Sequence, residues 1–505
     1  MNLVRKRKET IIQILFWCAV FTFLMVFFQI FHPLTIFNTD DWTYVKFTRR
    51  SGGIFPSIVE FNPIKVLPEN LTAVAGFFGA YVIRPFCGDY VRSIEISYGL
   101  FLCLMIIAYY FFIVEAAGRI CKLGLKEKMI LASFVVIIHF IPFVNKATGN
   151  SHFFYEGDSN GVYNNVIPAM FNAITVCFSM IYEKEICECD FRKHRFLMIV
   201  YIGIIYLSIN SNLFCNVMIA SYAFCKWVQY YVETGKLFGK GKYCIVIVLM
   251  WIGSLLFEYN GGRAGQVGRD TLDIIGSMKQ IVKNIKSMNA AFLAILFFLI
   301  FSALIMSFRY RNGKTVGKQM EGGSLVTMVV LAASGFITVT FNLLLASKTG
   351  ASYLSRSGVR LVNIFFFMMI AFVGAGMIAG MKTGFSIAFA VLTSIIIVFT
   401  VFGKFTYADI AWGGHTSKEC TAVSQYVIGQ YMDAYAAGET YVEVRVPKFE
   451  GGSDNYPLAE YGASRIASNL RWHGMTKIKM DAVFVPDESV NELFGWNSNP
   501  LTHNP

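Results

Sequence analysis

The residues most able to do chemistry are Asp40 and Asp41, in the run Asn38-Thr39-Asp40-Asp41-Trp42. Two neighbouring carboxylates at the edge of an apolar segment repel each other unless a proton, a metal or a cation neutralises one of them. A general base needs such a carboxylate held near a reacting hydroxyl in a partly dry site. Adjacent side chains diverge by about 100° on a helix and about 180° on a strand. One Asp would therefore face a substrate while the other holds the loop or a metal. The plainer alternative is a solvated turn that caps a helix end.

A second group of polar residues falls in the segments expected on the same side as the acids. These are Arg84 with Asp89, then Lys146, His152, Glu156 and Asp158, then Arg263 with Arg269, then Lys348, Arg356 and Arg360. Basic side chains on the outer side run against the usual bias of membrane proteins. A guanidinium fork grips phosphate at two points and an ammonium adds a point charge, so a lipid phosphate at the outer leaflet would account for the set. Ordinary contact with headgroups or carboxylates is the competing account. Gly157-Asp158-Ser159-Asn160-Gly161 reads as a helix start capped by Ser159 or Asn160, its N–H groups free to meet an anion, although the same letters make a common turn. Tyr259-Asn260-Gly261-Gly262-Arg263-Ala264-Gly265 is a cationic loop that closes over a substrate or simply connects two helices.

Other chemistry finds little support. The chain carries no Walker lysine loop, dinucleotide fingerprint, HExxH or nucleophile elbow. Cys187 and Cys189 lie close together without disulfide or zinc spacing, and are read as reduced bystanders rather than metal ligands. Asn70-Leu71-Thr72 fits a glycosylation triplet of the kind that arises often by chance.

The elements that must position these residues are membrane helices. Of 505 residues, 55% are hydrophobic and 15% charged, with a mean hydropathy of +0.53. Soluble domains carry about 25% charged residues, so too little polar surface is available to cover a water-soluble core. The net charge of +12 points to basic cytoplasmic loops before it points to nucleic acid, and no nucleic-acid partner is expected. A span needs about 20 apolar residues. Eleven segments qualify or nearly so: 10–32, 94–117, 128–144, 163–182, 196–210, 211–232, 243–258, 289–307, 324–346, 359–380 and 385–402. The fifth and sixth abut across Ile209-Asn210-Ser211-Asn212 as a tight hairpin. Residues 71–83 are apolar but end at Arg84-Pro85, too short to span and suited to a re-entrant or interfacial element.

Orientation follows from charge. Arg5-Lys6-Arg7-Lys8 precede the first span without a cleavage site, which keeps the N-terminus inside. Every inner loop is then basic: Arg119 to Lys128, Arg192 to Arg195, Lys236 to Lys242, Arg309 to Lys318, and Lys382. The expected protein is an all-α polytopic protein of the cell membrane, residues 1–402, with a long outer loop at 33–93. Its N-terminus is cytoplasmic, and residues 403–505 form a small α/β extracytoplasmic domain. That tail carries Trp412-Gly413-Gly414-His415, a helix over 417–437 ended by Gly438, and a strand Tyr441 to Val446 ended by Pro447. A second strand-like run, Lys477 to Val485, ends at Pro486. It is too small to host chemistry alone.

A long outer loop bearing Asp40-Asp41 directly after the first helix resembles the acidic motif of the GT-C glycosyltransferases. These are polytopic enzymes that take a sugar from a polyprenyl-phosphate carrier at the outer membrane face. The layout also resembles a bacterial group of related polytopic proteins of surface-glycan pathways, through Asn38 to Trp42, the junction Gly157 to Pro168, the loop at Arg356 and the tail near Trp472-His473-Gly474. The resemblance implies a GT-C-like fold of about eleven transmembrane helices. It implies Asp40 or Asp41 as base or metal ligand, and Arg84, Arg263, Arg356 and Arg360 on the carrier phosphate. It implies a lipid-linked sugar donor, a surface-glycan acceptor and inversion at the anomeric carbon. Metal dependence varies within that class, so a divalent cation stays open. Two alternatives remain: a glycan polymerase or ligase on lipid-diphosphate substrates, leaning on Arg263 and Arg269, and a lipid-linked sugar transporter or flippase. Transporters usually carry inverted repeats and broken helices, and no such repeat is visible.

Overall fold

A computed structural model describes residues 2–46, 63–145, 149–154, 156–188, 193–259, 272–311, 324–381, 407, 411–412, 414–449 and 454–496. The long helices are α1 (Asn2–Val26, continued as a π-turn through Phe31), α3 (Val66–Cys87), α4 (Tyr90–Ile120), α5 (Leu125–Ile138) and α6 (Ser159–Ile181). They continue with α7 (Arg195–Ile209), α8 (Leu213–Thr234), α9 (Lys242–Tyr259), α10 (Ile274–Lys286), α11 (Ala290–Arg311), α12 (Ser324–Thr349) and α13 (Ser357–Ala379). The short α2 covers Thr39–Tyr44. Ten of the eleven apolar segments are helical over most of their length; the last, 385–402, lies outside the described residues.

Eight helices are long and apolar enough to cross a membrane among the described residues. Their outward side chains fit that reading. Phe297 and Phe301 on α11 are 66% and 65% exposed, and Phe336 on α12 is 66% exposed, a surface that hydrocarbon covers and water does not. Where helices touch, small residues let the backbones close in. A Cβ on Gly374 of α13 would lie 2.3 Å from Leu299 O of α11, and one on Gly358 would lie 2.2 Å from Asn165 O of α6.

Two sequence expectations need correction. The segment 128–144 is helical only to Ile138, and Phe143–Asn145 then pairs antiparallel with Gly149–Ser151. Pro142 has no N–H to continue a helix and disfavours helical geometry in the residue before it. The apolar segment 71–83 belongs to a helix of 22 residues, Val66–Cys87, long enough to cross. A π-turn at Gly79–Ile83 carries the helix past Arg84 and Pro85, and it stops at Gly88, whose φ of +78° favours glycine.

Both ends of α3 nevertheless meet one layer of the protein. At its start, Leu67 N–H donates to Asn210 O at 2.9 Å and Lys65 Nζ to Asn164 Oδ1 at 2.6 Å. Near its end, Tyr81 Oη donates to Trp472 O at 2.7 Å. Asn164 and the C-terminal segment both join the loop that carries the acidic pair, as shown below, so α3 lies across the same face as that loop.

The C-terminal part folds as expected in outline. A helix, α14, covers Ser417–Ala436; Tyr441–Pro447 pairs in parallel with Asp481–Asp487; and the strands are joined through α15 (Tyr461–Trp472). A parallel pair requires such a crossover. Val442, Val444 and Val446 alternate inward against α14.

Candidate functional site

The site begins with the turn that carries the acids. Asn38 caps α2, its Oδ1 accepting the Asp41 N–H at 2.7 Å. Asp41 Oδ2 accepts the N–H groups of Phe37 and Asn38 at 3.0 and 3.1 Å, and Oδ1 accepts the Asn160 N–H at 2.7 Å. Only 1% of Asp41 is exposed. Burial, reinforced by the neighbouring Asp158, holds its carboxyl well above the usual range, against the pull of its three N–H donors. Asp41 therefore ties the first loop to the start of α6, and no face of it is left for a substrate.

Asp40 points the other way. It is half-buried, and its one hydrogen-bonding neighbour among the described residues is Tyr461 Oη, 3.4 Å from Oδ1. Asp158 lies close enough for the two carboxylates to repel, and it caps α6 by accepting the Gly161 N–H. The cap is thus Asp158 rather than Ser159 or Asn160. Asp158 has the extended backbone of an N-cap, whereas Ser159 already lies in the helix and donates its hydroxyl to Thr35 O at 2.6 Å. Partial burial raises the Asp158 carboxyl and Asp40 adds to the rise, while the Gly161 N–H and the Arg356 guanidinium pull it down.

Arg356 precedes α13 and is exposed, with its guanidinium 4.3 Å from the centre of the Tyr353 ring. Glu156 accepts the Ser357 N–H at 2.8 Å. Burial pushes its carboxyl up to about 7, opposed chiefly by Arg356 and reinforced by Asp158. Arg360, one turn into α13, stacks over Phe143 at 5.0 Å, and its Nε is buried without a hydrogen-bond partner among the described residues. The close approach at Gly358 is what brings this helix start against α6 and so sets Arg356 beside Asp158.

The C-terminal segment closes the other flank. Thr39 N–H and Oγ1 each donate to Pro457 O at 2.9 Å, and Thr39 Oγ1 accepts the Ala459 N–H at 2.9 Å. Asn469 Nδ2 donates to Trp42 O at 2.6 Å. Tyr90 Oη and His473 Nδ1 share a hydrogen bond of 2.7 Å. These contacts place Tyr456 and Tyr461 over the acids. The Tyr456 hydroxyl is raised by burial and then by Asp40, Asp158 and Asp41 in turn, and its ring meets Trp412 edge-on at 5.4 Å. The tail, expected to be too small to host chemistry alone, covers one side of the acids. No spacing signal in the sequence links Tyr456 or Tyr461 to Asp40, some four hundred residues away.

Asp40, Asp41, Asp158, Glu156, Arg356 and Arg360 are thus brought together from three segments. The remaining sequence candidates are not. Arg84 donates Nε to Ala80 O at 3.1 Å and lies beside Tyr90 and His473. His152 is fully buried among Phe27, Phe28, Phe140 and His32, and burial together with His32 lowers it well below the usual imidazole range. That makes it a neutral core residue. Lys348 is exposed in the last turn of α12. Lys146, Arg263 and Arg269 lie outside the described residues, as does Cys189. Among the described residues no three His, Cys, Asp or Glu side chains are grouped so as to hold a metal ion. Compared with family models, with curated proteins and with solved structures, the chain finds no match.

Proposed function

We propose that the chain is a membrane glycosyltransferase of GT-C type that moves a sugar from a polyprenyl-phosphate carrier to a surface glycan, with Asp40 as the base. Asp40 takes the proton of an acceptor hydroxyl, whose oxygen attacks the anomeric carbon. The bond from that carbon to the carrier phosphate breaks, and the phosphate leaves with the electron pair. Arg356 and Arg360 hold the leaving phosphate, where a preorganised cation is worth most. One displacement inverts the anomeric centre.

The observation that carries this reading is the division of labour within the acidic pair. Asp41 is consumed by three backbone N–H groups, while Asp40 keeps an open edge beside Asp158, with the exposed Arg356 next to it. A base and a phosphate-binding cation at one opening, on a protein built of apolar helices, suit a substrate with a polar head and a lipid tail. The test is glycan modification in intact cells carrying Asp40→Asn. Activity should be lost at normal protein level, and full activity in that variant overturns the assignment.

A further inference from the structure

Helix α10, Ile274–Lys286, has a surface the proposed reaction does not use. At 3.6 residues per turn its side chains fall into three sectors. Ser277 and Asn284 are buried and Ile281 is half-buried against the protein. Ile274, Ile275, Met278, Val282 and Ile285 form the next sector and are 40%, 69%, 55%, 50% and 49% exposed. Lys279, Lys283 and Lys286, spaced four and three residues apart, line the flank beyond and are all exposed. The helix contains no acidic residue. The carboxylate of Asp273 just before it accepts the Gly276 N–H at 2.8 Å, and none of the three lysines has an ion-pair partner among the described residues.

The helix cannot roll to hide this apolar sector. Asn284 Nδ2 donates to Leu354 O at 2.7 Å, Asp273 N–H to Ser347 O at 2.9 Å, and Asn289 N–H just beyond the helix to Pro142 O at 2.8 Å. Leu354 is two residues from Arg356, so α10 is mounted on the face that holds the acidic pair. An apolar sector flanked by a row of lysines is the pattern of a helix lying in the membrane interface, its apolar side chains among acyl chains and its ammonium groups at headgroup level. A neutral headgroup would satisfy the apolar sector alone; three unpaired lysines in a row call for negative charge.

We infer that α10 is an in-plane membrane anchor that selects anionic glycerophospholipids. This holds whatever reaction the acidic pocket performs. The test uses the full-length protein, equilibrated with equimolar phosphatidylglycerol and phosphatidylcholine in mild detergent, with retained lipid counted by native mass spectrometry. The wild type should retain phosphatidylglycerol preferentially. The combined variant Lys279→Gln, Lys283→Gln and Lys286→Gln, checked for an unchanged melting profile, should lower that preference at least about threefold. An unchanged ratio in the variant, or no preference in the wild type, overturns the inference. So does a concentration-dependent dimer abolished by Ile275→Ser with Val282→Ser at constant lipid ratio, which would assign the face to a second copy of the chain.

Discussion

The backbone N–H of Asn160 meets Asp41 Oδ1 at 2.7 Å, and with the Ser159 hydroxyl on Thr35 O this contact joins the loop after the first helix to the start of α6. Asn164, one turn further on, donates to Asn160 O at 3.0 Å and accepts from Lys65, while Asn212 donates to Asn164 O at 2.7 Å. The loop, α3, α6 and the α7–α8 hairpin therefore share one polar layer, which Asp41 ties to the loop.

Replacing Asp41 by Ala should destabilise the protein without touching Asp40. Each buried N–H left without an acceptor costs about 1–3 kcal/mol. Three are orphaned, and relief of the repulsion with Asp158 offsets part, so a net loss of roughly 3 kcal/mol is expected. Asp40→Asn should leave stability within about 0.5 kcal/mol, because it disturbs only the 3.4 Å contact with Tyr461 and relieves the repulsion with Asp158. Thermal unfolding in detergent separates the two. Equal midpoints would refute the division of roles.

The fold should weaken as pH rises through neutrality, in part because of Glu156. Its folded carboxyl titrates at about 7, against the ordinary value of 4.5. Between those values the folded state keeps a proton that the unfolded chain has released. The stabilisation is complete below the lower value and is lost as pH climbs through the upper one. Melting midpoints of the wild type should fall between about pH 5 and pH 8. Glu156→Gln should flatten the slope, leaving the contributions of Asp41 and Asp158, whose carboxyls are also raised. A slope identical to that of the wild type would contradict the assignment.

Gly358→Ala should lower both stability and activity. The added Cβ would sit 2.2 Å from Asn165 O, so the start of α13 must move and take Arg356 with it. A loss of about 1–3 kcal/mol is the usual cost of such overpacking. Gly203→Ala in α7 meets nothing within 4 Å and serves as the tolerated control. Thermal midpoints of the pair check this.

Thr39→Val should loosen the C-terminal domain while sparing the helices. The hydroxyl both donates to Pro457 O and accepts from Ala459 N–H; Pro457 O keeps the Thr39 N–H, so the substitution orphans the buried Ala459 N–H, at about 1–3 kcal/mol. Faster hydrogen exchange over 454–472, with α4 and α13 unchanged, is the expected result. Uniform exchange across the chain would mean that the domain is not separately docked.

Much of the architecture was legible in the amino-acid order. Apolar runs of membrane-spanning length, a strand with strict alternation at Tyr441 to Val446, and Gly438 after a helix follow from local rules of periodicity and termination. So did the expectation that adjacent acids diverge and that one of them holds the loop, because neighbouring side chains on a helix cannot share a direction. Local rules misjudged α3, since a π-turn lets a helix run past a proline that would otherwise end it, and they placed the cap of α6 one or two residues late.

Tertiary structure alone decided how the buried acid is sealed, which cations reach the open one and what covers it. Asp40 and Asp41 are chemically identical; Phe37 and Asn38 give Asp41 two local N–H donors, and Asn160, distant in sequence, supplies the third. Arg84 and Arg356 look alike in a loop list, but a glycine contact sets Arg356 beside Asp158 while Arg84 falls beside Tyr90 and His473. Tyr456 reaches Asp40 through hydrogen bonds that begin at Thr39. Composition and periodicity constrain a residue relative to its near neighbours along the chain. Convergence of distant segments depends on packing, which those patterns do not encode.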